Sequence, residues 1–330
     1  MSALVQLLSR WESFLVLVLA VTLLLGAESS HYFATASNIS IALASMVPVA
    51  LVALPMTLII VTGEIDISVG SMIGLCATVL AVTMEQGVGV GWAIVAALAM
   101  GTLAGLVNGV FVVAFGLPSL VVTIGTLALY RGIAQILLKE RGVNDLPDWY
   151  TNLGFGTIGL TPIPWSIVPF ALLFAGFAVF LHATHWGRTI FAIGNNRVAA
   201  RYSGIEVDRT MLAVFTASGV MSALSAVVLT AYLASARSDT AIGLELPVIT
   251  AVVLGGVNIF GGSGTLGGVL VALLVLAFVQ NALGLAGMTP EQQEIVTGAV
   301  LVATLVLFTG GASVRRAFAQ WLTLHTRKAG

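Results

Sequence analysis

The sequence predicts an all-α, polytopic membrane protein, and three observations carry the prediction. Of 330 residues, 58% are hydrophobic and only 8% are charged, where a soluble domain carries about a quarter charged residues. The apolar residues gather into approximately ten runs, each near the roughly 20 residues a helix needs to cross a bilayer. The runs lack the period-two alternation of a membrane barrel.

In order, the expected spans are 13–29, 46–62, 67–84, 91–115, 118–138, 166–184, 211–234, 246–260, 265–287 and 292–310. Behind Arg10 the first run has the look of a signal-peptide core, but the many apolar runs that follow favour a retained helix. Glycine and polar residues interrupt the hydrophobicity near 60–70 and 258–266, so broken or re-entrant segments are expected there. Residues 1–330 read as one transmembrane domain.

Orientation follows from the loop cations. With the N-terminus inside, nine cations face the cytoplasm: Arg10, Arg188, Arg197, Arg201, Arg209, Arg315, Arg316, Arg327 and Lys328. Three face outward: Lys139, Arg141 and Arg237, with Arg131 inside a span. An even number of spans then leaves both termini cytoplasmic. The longest outer connection, about 139–165, carries Pro147, Trp149, Tyr150, Pro162, Pro164 and Trp165. Trp and Tyr favour the interface, so this loop either covers helix ends or meets a soluble delivery protein. Gly101, Gly105 and Gly109 recur every fourth residue, as do Gly70 and Gly74, and Gly264 and Gly268. Such spacing lets helix backbones approach closely in lipid.

Several functions are excluded. The net charge of -1 does not suit a nucleic-acid partner. Cys76 is the only cysteine, so neither an internal disulfide nor a thiolate metal cluster can form. His31, His182, His185 and His325 are scattered, without metal spacing or a hydrolase motif; no catalytic or metal-binding residue is expected. Gly256 and Gly261 have phosphate-loop spacing, but Gly262 stands where the lysine would be, so this chain is not expected to bind nucleotide or any other cofactor itself.

Three stretches remain. The first, G-E-I-D-I-S-V-G-S at Gly63–Ser71, sets Glu64 and Asp66 at or in the membrane, where charge costs at least a few kcal/mol unless solvated or paired. Asp66 and Ser68 could cap a helix starting near Val69, or the stretch could be a broken helix lining a passage. The second, G-G-V-N-I-F-G-G-S-G at Gly255–Gly264, reads as a turn between membrane helices. Glu64, Asp66, Ser68, Asn108 and Asn258 are the candidates for a solute pathway. Amides such as Asn108, Asn258, Gln280 and Asn281 also suit ordinary interhelical hydrogen bonds. Arg237 and Asp239 read as an exposed ion pair at the outer surface. The third stretch, Trp186–Met211, is a polar island holding four arginines between long apolar runs. Within it Gly194-Asn195-Asn196-Arg197 suggests a turn, Arg197–Tyr202 a short helix, and Ser203-Gly204 its stop. On physics alone this is a solvated cytosolic loop or a docking helix for a cytosolic partner.

G-R-T-I-F-A-I-G-N-N-R-V-A-A-R-Y-S-G-I-E-V resembles the cytosolic loop of ribose-type ABC sugar permeases, and the other two stretches follow in that family's order. The resemblance covers essentially the whole chain. It implies an importer of small sugar-like solutes in the bacterial inner membrane. Its other parts would be a second permease subunit, two ATP-binding cassette subunits that bind the ATP, and a periplasmic solute-binding protein. It places Gly194, Asn195, Ala199, Ala200, Ser203 and Gly204 in the segment coupled to the ATPase, where Arg197 and Arg201 also lie. Two stretches, Val52–Cys76 and S-A-R-S-D with L-P-V-I-T-A-V-V-L-G-G-V-N-I-F-G-G-S-G, look most like the autoinducer-2 branch. Pro247, Asn258 and Ser263 depart from the ribose branch, and Glu64 is similar to the rhamnose branch. The rival classes are a secondary transporter using Glu64 and Asp66, and an intramembrane enzyme, for which no catalytic cluster is visible.

The topology is testable at residue 198. A fluorescent-protein fusion there is expected to fluoresce and a periplasmic phosphatase fusion to stay inactive; the opposite pattern would invert the topology.

Overall fold

The computed structural model describes residues 11–139 and 141–306. Helices α1 (Trp11–Ser29), α2 (Ala36–Val61), α3 (Val69–Glu85), α4 (Val90–Val113) and α5 (Ser119–Leu138) form the first half. A strand β1 (Gly142–Val143) and a short helix α6 (Asp148–Phe155) follow. Then come α7 (Ile167–Ala183), α8 (His185–Asn195), α9 (Arg197–Tyr202), α10 (Val207–Leu233), β2 (Ala236–Arg237), α11 (Glu245–Leu254) and α12 (Leu266–Leu285). The chain is helical again over 290–306.

Among the described residues six helices (α1, α2, α4, α5, α10 and α12) are long and apolar enough to span a membrane. The pair α7 and α8, bent by 67° at Thr184, makes a seventh if counted as one span. Each of the ten expected runs is helical over at least part of its length, but two form helices shorter than a span. The run 67–84 forms the 17-residue α3. The run 246–260 forms only the ten-residue α11, about 15 Å long at 1.5 Å per residue and half of a hydrocarbon core. It stops because Gly256, Gly261 and Gly262 take positive φ, a backbone conformation no helix contains. Hydrophobicity persists through Val257 and Ile259, which hid that break from a count of apolar residues. The last run is helical to 306, where the description ends. Arg10, Arg315, Arg316, Arg327, Lys328 and His325, and with them the expected position of both termini, lie outside the described residues.

The core is built on α2, buried along most of its length despite Pro48 and Pro55. Ser225 Oγ on α10 donates to Pro48 O at 2.8 Å, tying α10 to α2 beside the first proline. Helix α10 packs against α2 on one side and α4 on the other. The α4–α10 seam is where the glycine spacing acts: a Cβ on Gly219 would overlap Gly101 O, and one on Gly105 would overlap Phe215 O. Asn38 and Asn281 exchange hydrogen bonds at 2.8 and 2.9 Å, joining α2 to α12.

The two ends of the bundle differ. The basic end holds α8, α9 and the start of α1. At the opposite end β1 pairs antiparallel with β2, Gly142 against Arg237. There α6 seals the end of α10: the buried Tyr150 hydroxyl lies 2.8 Å from Val227 O and 2.6 Å from Thr230 Oγ1. That part of the 139–165 loop covers helix ends, while Trp149, Leu153, Phe155 and Trp165 remain exposed.

Gly219→Leu is expected to lower the thermal midpoint of the detergent-solubilised protein by several degrees, since overpacking a tight seam costs about 1–3 kcal/mol or more. Gly132→Leu, whose Cβ meets open space, is the control. An unchanged Gly219→Leu midpoint would refute the close seam.

Candidate functional site: a three-way junction at the basic end

Three stretches distant in sequence meet at the end of α2. After Val61 the helix is closed by Thr62, and Gly63 turns the chain with φ 82°. The second Gly-rich break lies against this turn: Gly262 N donates to Val61 O at 2.8 Å. The polar island arrives through the end of α8. A Cβ on Gly194 would overlap Val61 O, and Gly194 O lies against Gly261. Asn195 Nδ2 donates to Gly262 O at 3.2 Å and to its own helix at Phe191 O, 2.8 Å. Only a residue without a side chain fits at Gly194, because three backbones converge on it.

A charge pair adds the next tie. Arg197 Nη1 donates to Glu64 Oε1 at 2.6 Å, with the Glu64 side chain only 14% exposed. The carboxylate is compensated from α9 rather than by solvent. The start of α1 completes the junction: Trp11 Nε1 donates to Leu254 O at 2.7 Å, and Thr265 Oγ1 donates to Glu12 Oε1 at 3.0 Å.

The short helix forms where expected. Asn196 caps α9, its Oδ1 accepting from Ala199 N at 2.9 Å. Such a cap contributes about 1 kcal/mol. Ser203 ends the helix and Gly204 turns out at φ 83°. Of the coupling candidates, Asn195, Ala199, Arg201, Ser203 and Gly204 are exposed, while Ala200 points inward. Val198 and Tyr202, 65% and 89% exposed, sit beside them and were not singled out from the sequence. The island is also less cationic than its arginines suggest. Arg201 pairs with Asp208 at 2.5 Å and Arg209 with Glu206 at 2.7 Å.

The pathway candidates do not form one site. Glu64 is held at the junction. Asn258 folds onto its own turn, its Oδ1 accepting from Phe260 N at 3.1 Å. Asp66, Ser68 and Asn108 do meet, in a network closed to solvent. Asp66 Oδ1 accepts from Ser68 N at 3.0 Å and Ser68 Oγ at 2.6 Å, and Oδ2 accepts from Ser218 Oγ at 3.0 Å. Asn108 Nδ2 donates to Ser68 Oγ at 2.8 Å, and Tyr130 OH to Asn108 Oδ1 at 3.0 Å. Four helices and the first break are thereby joined around one carboxylate. The expected capping is corrected in detail: Ser68 occupies the cap position of α3 but its side chain does not cap, because it is committed to Asp66. Ser218 and Tyr130 were missed, since an isolated Ser or Tyr in an apolar run carries no positional signal. Away from the junction, Arg237 and Asp239 form the expected exposed pair at 2.9 and 3.1 Å, and the arginine holds the Asp239 carboxyl below its ordinary range.

A family model described as branched-chain amino acid transport system / permease component matches residues 38–305. The chain belongs to this family. Relatives named "Autoinducer 2 import system permease protein LsrD" are 36% identical over 302 residues in Photorhabdus luminescens, covering 90% of each chain. The Escherichia coli K12 protein of the same name is 38% identical over 283 residues, covering 83% of this chain and 84% of its own. A solved chain of an ABC transporter assigned to the metal-chelate type, in an inward-facing conformation, shares the fold. Its TM-score is 0.51 at 14% identity, covering 90% of this chain and 98% of that one. The family expected from the three motifs is thus the family found. The protein is an ABC permease subunit, a multi-pass transport component of the inner membrane rather than an enzyme.

For this permease the Glu64–Arg197 tie should be measurable. A double-mutant cycle of Glu64→Gln and Arg197→Gln in mixed micelles is expected to give a coupling above about 1 kcal/mol, more than an exposed pair contributes. A coupling near zero would show the pair to be incidental.

Proposed function

We propose that this permease forms the membrane passage of an ATP-driven importer for a small, sugar-like solute, with autoinducer-2 favoured and rhamnose the near alternative. Two permease subunits, identical or homologous, would enclose the passage. A cassette ATPase would dock on α9 from the cytoplasm, and a periplasmic binding protein would deliver the solute to the opposite face. The similarity to autoinducer-2 permeases over most of both chains supports the substrate class.

The observation that carries the mechanical reading is the junction itself. The exposed face of α9, with Val198, Arg201 and Tyr202, is available to a cytosolic partner. The same helix reaches back through Arg197 to Glu64, and its predecessor α8 is wedged against Val61 and Gly262. A displacement imposed on α9 therefore reaches both Gly-rich breaks without passing through a flexible loop. Bound ATP can drive such a displacement only if the cassette interacts more favourably with one arrangement than with the other. The ion-gradient alternative gains nothing from this geometry, because Glu64 is paired with Arg197 and Asp66 is enclosed by hydrogen-bond donors.

Val198→Asp combined with Tyr202→Ala is expected to reduce ATP-dependent uptake of autoinducer-2 about tenfold or more, the scale of losing an interface hot spot, with normal membrane levels of the permease. The check is uptake and ATP hydrolysis by the reconstituted complex. Wild-type uptake by that variant would remove α9 from the docking surface.

A further inference from the structure

The connection between α10 and α11 crosses half of the bundle without being a helix. It leaves α10 at Ala234 (φ 49°), passes through β2, and turns again at Ala241 (φ 65°) and Gly243 (φ 82°). At its upper end it is tied to the β1 side, where Ser238 Oγ donates to Lys139 O at 2.7 Å. At its lower end Ala241 O and the Glu245 carboxylate crowd Gly70, and Thr240 O crowds Gly74, on α3. Gly70 lies 15 residues from Glu85, the far end of α3, or about 22 Å at 1.5 Å per residue. The strap over 235–244 thus descends to mid-membrane as irregular backbone.

Arg131 makes that descent possible. It lies on α5 seven residues short of Leu138, about 10 Å inside the helix end. Its Nη1 donates to Ser238 O at 2.7 Å and Thr240 O at 2.9 Å, and its Nη2 donates to Gly70 O at 3.3 Å. One guanidinium satisfies carbonyls of the strap and of α3 together. The intramembrane arginine is a positioning residue, which accounts for a charge that the junction does not use.

Only one face of the strap is held this way. On the other, Ile242 is 62% exposed, with Asp239 and Leu246 also exposed, while Glu245 is half-buried at the edge of that face with one carboxylate oxygen against Gly70. Gly243 faces the Glu294 carboxylate on the helix over 290–306. Irregular backbone at membrane depth persists only where it is buried in protein or lines a water-filled cavity. Ionisable side chains at that depth likewise face a cavity rather than lipid. The geometry points to the open face of this strap as the wall of the solute passage, with Glu245 placed to accept a hydrogen bond from a hydroxyl of a small polyhydroxylated solute. The inference rests on the importer reading and locates its passage, which the Asp66 network, closed to solvent, does not.

The test uses the reconstituted complex in liposomes and a membrane-impermeant methanethiosulfonate reagent. Cys76 is fully buried, so the unmodified protein is expected to be unlabelled, and its ATP-dependent uptake of autoinducer-2 checks the importer reading on its own. Ile242→Cys is expected to be labelled from the face opposite α9 and to lose most uptake on labelling. Glu245→Gln is expected to raise the half-saturating autoinducer-2 concentration several-fold at unchanged membrane level. An Ile242→Cys site that is unreactive, because lipid or a second permease covers it, would overturn the proposal, as would labelling without loss of uptake. A Glu245→Gln variant with unchanged half-saturation would overturn the role of Glu245.

Discussion

In a bilayer each backbone N–H and C=O must find a partner within the protein, and this fold depends on how that demand is met at three places where helices stop. At the first, the chain turns after Val61, and the turn is closed by a backbone hydrogen bond from Gly262. At the second, the loop that supplies Gly262 is itself held by Asn195. At the third, the strap beyond α10 is held by Arg131. The first two breaks complete each other at the basic end. The third is completed by a side chain and keeps one face open.

That difference separates structural from functional roles. The Asp66 network is polar, deep and enclosed; its carboxylate is used up by Ser68 and Ser218, and it joins α3, α4, α5 and α10 through the first break. The strap has an exposed face at similar depth. Polarity within the membrane therefore has two uses here, joining helices where it is enclosed and meeting water where it is open. Residue type alone does not distinguish them, since both include carboxylates.

Much of this was legible in the sequence, for identifiable reasons. Spans such as α4 and α5 follow from apolar runs of spanning length, and α9 follows from an Asn cap and a Ser-Gly stop at the right spacing. The family was readable because three motifs stood in order. Other features were not legible. The end of α11 was hidden by Val257 and Ile259, apolar residues in a loop. The meeting of Glu64 with Arg197 spans 133 positions, and nothing local in either stretch announces the other. Arg237 and Asp239 were read correctly as a surface pair, but the strap they begin was invisible. Its descent is caused by Arg131, more than 100 positions earlier.

The ties at the basic end also constrain how it can move. Backbone contacts at Gly194, Val61 and Gly262 leave no room for sliding, because any Cβ-sized displacement would bring carbonyl and amide groups into overlap. The end of α8 and both Gly-rich breaks must then shift as one body. The body is bounded by the 67° bend between α7 and α8, where Gly187 packs against the Leu181 backbone, and by the turn at Gly204, where a Cβ would meet open space. A shift of that body would pass from the exposed face of α9 to the base of α2 and, through α11, toward the strap. The close packing at Gly194 makes the junction rigid enough to transmit a displacement.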